Sequence, residues 1–266
     1  MNTLEFRKLP QLSYPVNEAF NTLSTNISFL GRDTKKLMLT SSRASEGKSF
    51  SSLSLARKLA ERGKRVVLVD TDLRRSRMVS TYGVKFPQDS KKYGLSHYLA
   101  GIAEQDEVLY KTNVAGMDFV PVGRELLNPL PLLSSNRFQA LLDRLAEAYD
   151  YVIVDAAPVG VVIDAAEIAK YCDGILLVVN YNQVHRRLYK QEILLQIALL
   201  QLLQGLRKGC RRKGRRRKGR RRKEEGLSPW QEIFWIFMPT SCTGWTTAHG
   251  RRSRCGRCWM RPAKTV

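Results

Sequence analysis

Lys35-Lys36-Leu37-Met38-Leu39-Thr40-Ser41-Ser42-Arg43-Ala44-Ser45-Glu46-Gly47-Lys48-Ser49 is the stretch that decides the fold. Leu37 to Leu39 is an apolar run of the length one buried strand needs. Small residues then turn the chain, and Gly47-Lys48-Ser49 opens a segment with helical spacing. Strand, small-residue loop and helix in that order make a phosphate-binding loop. Successive backbone N–H groups can curl round a polyphosphate, the helix start adds partial positive charge, and Lys48 adds a full one. Ser49 offers a hydroxyl to a Mg²⁺ ion bridging the phosphates.

The pattern is incomplete, because the usual glycine six residues before the lysine is Ser42 here. Gly-Lys-Ser alone is as compatible with an ordinary helix cap as with nucleotide binding. Two later stretches tip the balance. Arg65-Val66-Val67-Leu68-Val69 is a continuous apolar strand that runs into Asp70-Thr71-Asp72, and Tyr151-Val152-Ile153-Val154 is another that runs into Asp155. Acids at the C-terminal ends of buried strands stand where open α/β sheets bind ligands.

The net charge of +21 is unevenly spread. Residues 1–206 hold 26 Lys/Arg against 21 Asp/Glu, whereas residues 207–266 hold 19 against 3. All four Trp and four of the five Cys lie in that last stretch, and no Tyr or Asp does. The chain therefore reads as a globular domain, 1–206, followed by a basic low-complexity tail, 207–266, expected to be disordered. The polar start Met1–Pro10 has no apolar core of signal-peptide type. No apolar run approaches the ~20 residues of a membrane span, and Cys172 stands alone in the globular part. A cytoplasmic protein is expected.

Apolar spacing predicts helices over 17–29 (Phe20, Leu23, Ile27, Leu30), over 53–60 after the loop, and over 94–100. Further helices are expected from a cap at Ser134 through Leu145, over 164–171, and over about 184–203. Strands are expected at 37–39, 65–69, 117–121, 151–154 and 175–179, with an extended lead over 1–16 and a loop over 74–92. Strands that are apolar throughout, alternating with helices, predict an α/β fold: a mostly parallel sheet covered on both faces.

Three stretches carry a family resemblance. Leu39-Thr40-Ser41-Ser42 leads into Gly47-Lys48-Ser49. Val67-Leu68-Val69-Asp70-Thr71-Asp72-Leu73-Arg74-Arg75 follows, and then Tyr149-Asp150-Tyr151-Val152-Ile153-Val154-Asp155 with Pro158-Val159. With Tyr93-Gly94-Leu95-Ser96 and Asn128-Pro129 before Leu132-Leu133-Ser134-Ser135, the set resembles the bacterial tyrosine kinases of capsular and exopolysaccharide biosynthesis over about residues 15–196. The resemblance implies a P-loop fold using ATP and Mg²⁺. It implies nucleotide binding by Ser45, Glu46, Gly47, Lys48, Ser49 and Phe50. It also implies metal binding by Ser49, Asp72 and Asp155, and catalysis by Lys48, Asp70 and Asp72. Asp70 is the candidate to accept the tyrosine proton. The implied partners are protein tyrosine substrates and a membrane-bound activator, which would bring the enzyme to the membrane. Arg74 could brace the acids or the phosphates, or lie on a solvated surface.

The chain departs from the family in four places. Ala44-Ser45 replaces a Pro-Gly pair, and Ser at a φ > 0 position costs of order 1 kcal/mol, which would weaken nucleotide binding. Ala157 replaces the first proline of a Pro-Pro pair. Glu18-x-x-Asn21-x-x-Ser24 lacks both arginines of the family's Glu-x-x-Arg-x-x-Arg ring motif, so a ring-shaped homo-oligomer is in doubt. Finally, the family continues into one more strand and a tyrosine cluster. Here a run with 13 Lys/Arg over Arg207–Lys223 follows instead, so a missing last strand is expected and tail autophosphorylation is excluded.

The abrupt change in composition points to a reading-frame shift near residue 197 and an appendage without selected function. Sequencing the gene with its flanks tests this, since a tyrosine-rich C-terminus should lie in another frame. The alternatives are non-specific binding of nucleic acid or anionic membrane through phosphates, and a zinc site at Cys242, His249, Cys255 and Cys258. For the whole chain, the alternatives to a kinase are a partitioning-type or degenerate ATPase, with Arg43 where those proteins carry a signature Lys, and a polyanion-binding protein.

Overall fold

The computed structural model describes residues 3–31, 33–88 and 90–180 and the backbone of Ile233–Met238. Nine strands of the described residues form one sheet: β1 (Thr3–Phe6), β2 (Lys36–Ser41), β3 (Val66–Asp70), β4 (Val84–Lys85), β5 (Tyr110–Thr112), β6 (Met117–Val120), β7 (Tyr151–Asp155), β8 (Gly174–Asn180) and β9 (Ile233–Met238). Their spatial order is β4-β1-β5-β6-β3-β7-β2-β8-β9. The run from β6 to β9 is parallel throughout, while β5 joins β6, and β4 joins β1, antiparallel. The α/β sheet expected from the apolar strands is present, with a mixed extension at one side.

Alternation along the strands divides the core into two layers. Leu37 and Leu39 of β2, Val66 and Leu68 of β3 and Ile153 of β7 point to one face. There they meet Phe20, Leu23 and Ile27 of α1 (Tyr14–Ser28) and Leu53, Ala56 and Leu59 of α2 (Lys48–Glu61). Met38, Val67, Val69, Val152 and Val154 point to the other face. That side is covered by α4 (Leu95–Leu99), α7 (Asn136–Ala148) and α8 (Asp164–Ala169), with the shorter α5 (Gln105–Val108) and α6 (Leu130–Leu133) in the connections, whereas the short α3 (Met78–Thr81) packs on the first face through Met78. The central strands are buried on both faces, which is why their sequences do not alternate in polarity.

Several expectations need correction. The extended lead contains β1, which pairs with β4 and β5. The loop expected over 74–92 contains α3 and β4. The cap of α7 is Ser135 rather than Ser134: the Ser135 hydroxyl accepts the Phe138 N–H at 3.3 Å. The expected missing strand is also supplied. Ile233–Met238, within the stretch expected to be disordered, runs parallel to β8 from Ile175↔Ile233 to Asn180↔Met238. The open edge of β8 offers unpaired N–H and C=O groups, and Ile-Phe-Trp-Ile-Phe-Met has the β-branched and aromatic composition that suits a strand. The boundary at 206, the helix expected at 184–203, the basic run and the candidate zinc ligands lie outside the described residues.

Gly94 of the Tyr-Gly-Leu-Ser stretch is fixed by close approach. A Cβ there would lie 2.4 Å from the carbonyl oxygen of Pro121 and 2.4 Å from the Gly123 nitrogen. This contact seats the start of α4 on the chain leaving β6.

Candidate active site

The register of β3 and β7 sets Asp70 directly opposite Asp155 at their C-terminal ends. Counting by twos, Asp70 continues the row of Val66 and Leu68, and Asp155 that of Tyr151 and Ile153. Both carboxylates therefore face the layer that contains α2. The start of α2 meets them. Ser49 Oγ donates to Asp155 Oδ2 at 2.6 Å, and Ser52 Oγ to Asp155 Oδ1 at 2.8 Å. Lys48 Nζ lies 3.1 Å from Asp72 Oδ2 and 4.0 Å from Asp155 Oδ2. Ser52 is the member that sequence reading missed. It lies three residues after Ser49, one helical turn on, so the two hydroxyls share a face.

The electrostatics follow from burial. Asp70, Asp72 and Asp155 are 0%, 8% and 1% exposed and share one ammonium. Burial, then the Asp155 charge, pushes the Asp70 carboxyl up to about 8. Burial also raises Asp155, against the opposing effects of Lys48, Ser49 and Ser52. With more partners for its charged form, Asp155 is the better placed of the two to stay ionised, and Asp70 to hold a proton. Burial alone would lower Lys48, but Asp155 and Asp72 outweigh it and the net shift is upward.

The phosphate loop is shaped by its own side chains. Gly47 stands at the start of α2 with φ +86. Ser45 adopts φ +65, the left-handed conformation expected to resist a Cβ. Glu46 is buried and turned inward: its Oε2 accepts the Arg43 N–H at 2.9 Å, and burial raises its pKa against the backbone bonds that lower it. The Phe50 ring packs against Phe20, 6.2 Å between centroids.

The donor set suits a hard divalent cation. Three carboxylates and a hydroxyl converge round one lysine, an excess of negative charge made of oxygen atoms. This fits Mg²⁺, which takes one or two carboxylates and completes its octahedron with water and phosphate oxygens.

Arg74, partly exposed, is tied to Asp164 and Leu127 rather than to Asp70, Asp72 or Asp155. Its Nε and Nη2 donate to Asp164 Oδ2 and Oδ1 at 2.5 and 3.1 Å, and its Nη1 donates to the Leu127 carbonyl at 2.7 Å. Of the ring motif, Glu18 is engaged within its own helix, accepting from Asn21 Nδ2 at 2.9 Å. A cleft of about 390 Å³ lined by Arg65, Lys111, Asp118 and Tyr149 lies at the opposite, N-terminal end of β3 and β6 and includes none of the residues above. No helix among the described residues is long and apolar enough to cross a membrane.

Comparison with known proteins adds to this geometry. A family profile described as an AAA domain matches residues 34–196. Tyrosine-protein kinase CpsD of Streptococcus agalactiae serotype III (strain NEM316) is 40% identical over 169 residues, 64% of this chain and 71% of that protein. Tyrosine-protein kinase CpsD of Streptococcus pneumoniae is 36% identical over 188 residues, 70% of this chain and 81% of that protein. Among solved structures, the kinase domain of the Escherichia coli tyrosine kinase ETK superposes with a TM-score of 0.64 at 30% identity, covering 71% of each chain.

Proposed function

Because the chain belongs to the bacterial tyrosine-protein kinases, we propose that it transfers the γ-phosphoryl group of ATP to tyrosine hydroxyls of other proteins, in the production of a capsular or exopolysaccharide. The observation that carries the assignment is the register-matched pair Asp70 and Asp155 beside Lys48 and Ser49. A phosphate-binding loop alone would serve any ATPase. A second, buried carboxylate with a high proton affinity supplies what a hydroxyl acceptor needs.

In this reading the loop amides from Ser45 to Phe50 and the Lys48 ammonium hold the phosphates. Ser49, Asp72 and Asp155 would hold Mg²⁺. When bound, Mg²⁺ neutralises charge on the phosphate oxygens. In its ionised form, Asp70 orients the incoming phenol and receives its proton as the O–P bond forms and the bond to ADP breaks. With its carboxyl pushed up to about 8, Asp70 lies closer to a phenol, near 10, than an ordinary aspartate near 3.9 does. The demand on the protein is positioning and charge neutralisation, which the rigid ends of three adjacent strands supply.

The reading includes a membrane-bound activator as partner. A homo-oligomer built on the α1 ring motif is not part of it, since Asn21 and Ser24 replace the arginines. The test is transfer of labelled phosphate from ATP·Mg²⁺ to a tyrosine-bearing protein by the purified chain, with and without an activator's cytoplasmic segment, and Lys48→Met as control. Label on tyrosine that disappears with Lys48→Met is expected. ATP binding without transfer would leave only a nucleotide-binding partner protein.

A further inference from the structure

We propose that Ser76 marks the acceptor subsite: its hydroxyl occupies the position on Asp70 that a substrate phenol must take, and the substrate binds by displacing it. The inference rests on the kinase reading above and assigns the side of the site from which the acceptor enters.

Asp70 is fully buried, and both of its oxygens are engaged by the segment that follows it. Oδ1 accepts the Asp72 N–H at 3.3 Å, and Oδ2 accepts the Ser76 hydroxyl in a short bond. The first is a backbone contact that holds the carboxylate in place. The second comes from a side chain that is itself partly exposed, so Ser76 stands between Asp70 and solvent. An alcohol donating to this carboxylate is the same chemistry as a tyrosine hydroxyl donating to it. The other polar groups of the site are ill suited to being displaced. Lys48 and Asp72 pair with each other, and Asp155 is held by Ser49 and Ser52.

The segment is fastened at discrete points, and the Ser76–Asp70 bond is one of them. Besides its bond to Asp70, the Ser76 Oγ accepts the Met78 N–H at 3.2 Å at the start of α3. Arg74 ties the same segment to Asp164 and Leu127. Releasing the single Ser76–Asp70 bond frees Asp70 Oδ2 for another donor and leaves the Asp72 N–H and Arg74 fastenings intact. The phenol then recovers the lost hydrogen bond, so the exchange is nearly balanced and the hydroxyl acts as a competitor rather than a barrier.

The experiment uses the full chain with ATP·Mg²⁺ and a glutamate–tyrosine copolymer as acceptor. Ser76→Ala, the near-isosteric weak donor Ser76→Cys and the conservative Ser76→Thr are compared with the wild type. Removing the competitor lowers KM for the copolymer about three- to tenfold in Ser76→Ala and Ser76→Cys, more than it changes KM for ATP, and Ser76→Thr restores the wild-type KM. An unchanged or raised KM overturns the proposal, as does a fall in kcat alone, which would make Ser76 a support for Asp70. Ser76→Cys keeps the volume of the site and decides the matter should Ser76→Ala fail to fold. Wild-type transfer without the KM effect sinks the subsite alone. No tyrosine transfer by any of the chains sinks the kinase reading and the subsite with it.

Discussion

Ser45 is the place where this phosphate loop works against its own covalent geometry, and Ser45→Gly measures by how much. Its φ of +65 lies in the left-handed region, which costs an L-residue about 1–2 kcal/mol and a glycine almost nothing. Glycine gives part of this back, because its freer unfolded chain costs about 0.4–1 kcal/mol. The net expectation is a gain of about 0.7 kcal/mol, near 2 °C in Tm for a domain of this size. Ser45 is exposed, so the change reports on the backbone rather than on lost packing. Ser45→Ala keeps the strain and should match the wild type, while β-branched Ser45→Val should fall below it. The assay is urea denaturation at constant m, paired with ATP titration, because strain carried only by the occupied loop would appear as tighter binding of similar total size in Ser45→Gly. If Ser45→Gly and Ser45→Val both denature at the wild-type midpoint with unchanged ATP affinity, position 45 is not left-handed in solution and the reasoning fails.

Two further outcomes are expected. The raised Asp70 pKa means that ionising this buried carboxyl works against folding. Its contribution is fully present below about pH 4, the unfolded value, and is lost as pH rises through about 8. The stability of Asp70→Asn over wild type, measured without nucleotide or Mg²⁺, should therefore widen between pH 5 and 9 by about 4 kcal/mol; a constant gap would contradict it. Ending the chain at Leu206 removes β9 and uncovers the edge of β8. Light scattering should then show self-association absent from the full chain, and salt-sensitive nucleic-acid binding, if present at all, should vanish with the basic run. A monodisperse truncated monomer would show that β9 does not protect that edge.

The parts of this site that were legible in the sequence are those with a strong local signature. Gly47-Lys48-Ser49 follows an apolar run, and Asp70 and Asp155 each end one, so strand, loop and acid announce themselves within a few residues. Ser52 gives no such signal, since a serine inside a helix becomes meaningful only once the phase of α2 over Asp155 is known. Ser76 is hidden for the same reason, its partner lying six residues back round a turn. The elements that went unseen, such as β4 and β5, are two and three residues long and too short to show a period. Ser134 and Ser135 are both good caps, and only the helix geometry chooses between them. β9 was obscured by the charge run before it, which coloured the reading of the whole tail.

The order β3-β7-β2 has a consequence in time. β7 separates β2 from β3, yet it is made last, with Asp155 lying 85 residues after Asp70. Until it inserts, a growing chain has two strands with unsatisfied inner edges and no way to bring the loop and the acids together. Asp70 meets Asp155 only once β7 is in place, so these two buried carboxyl groups are brought together after both flanking strands have been made. The nascent kinase is thus inert during most of its synthesis, and the interval before β7 arrives is when its exposed edges are most open to mispairing.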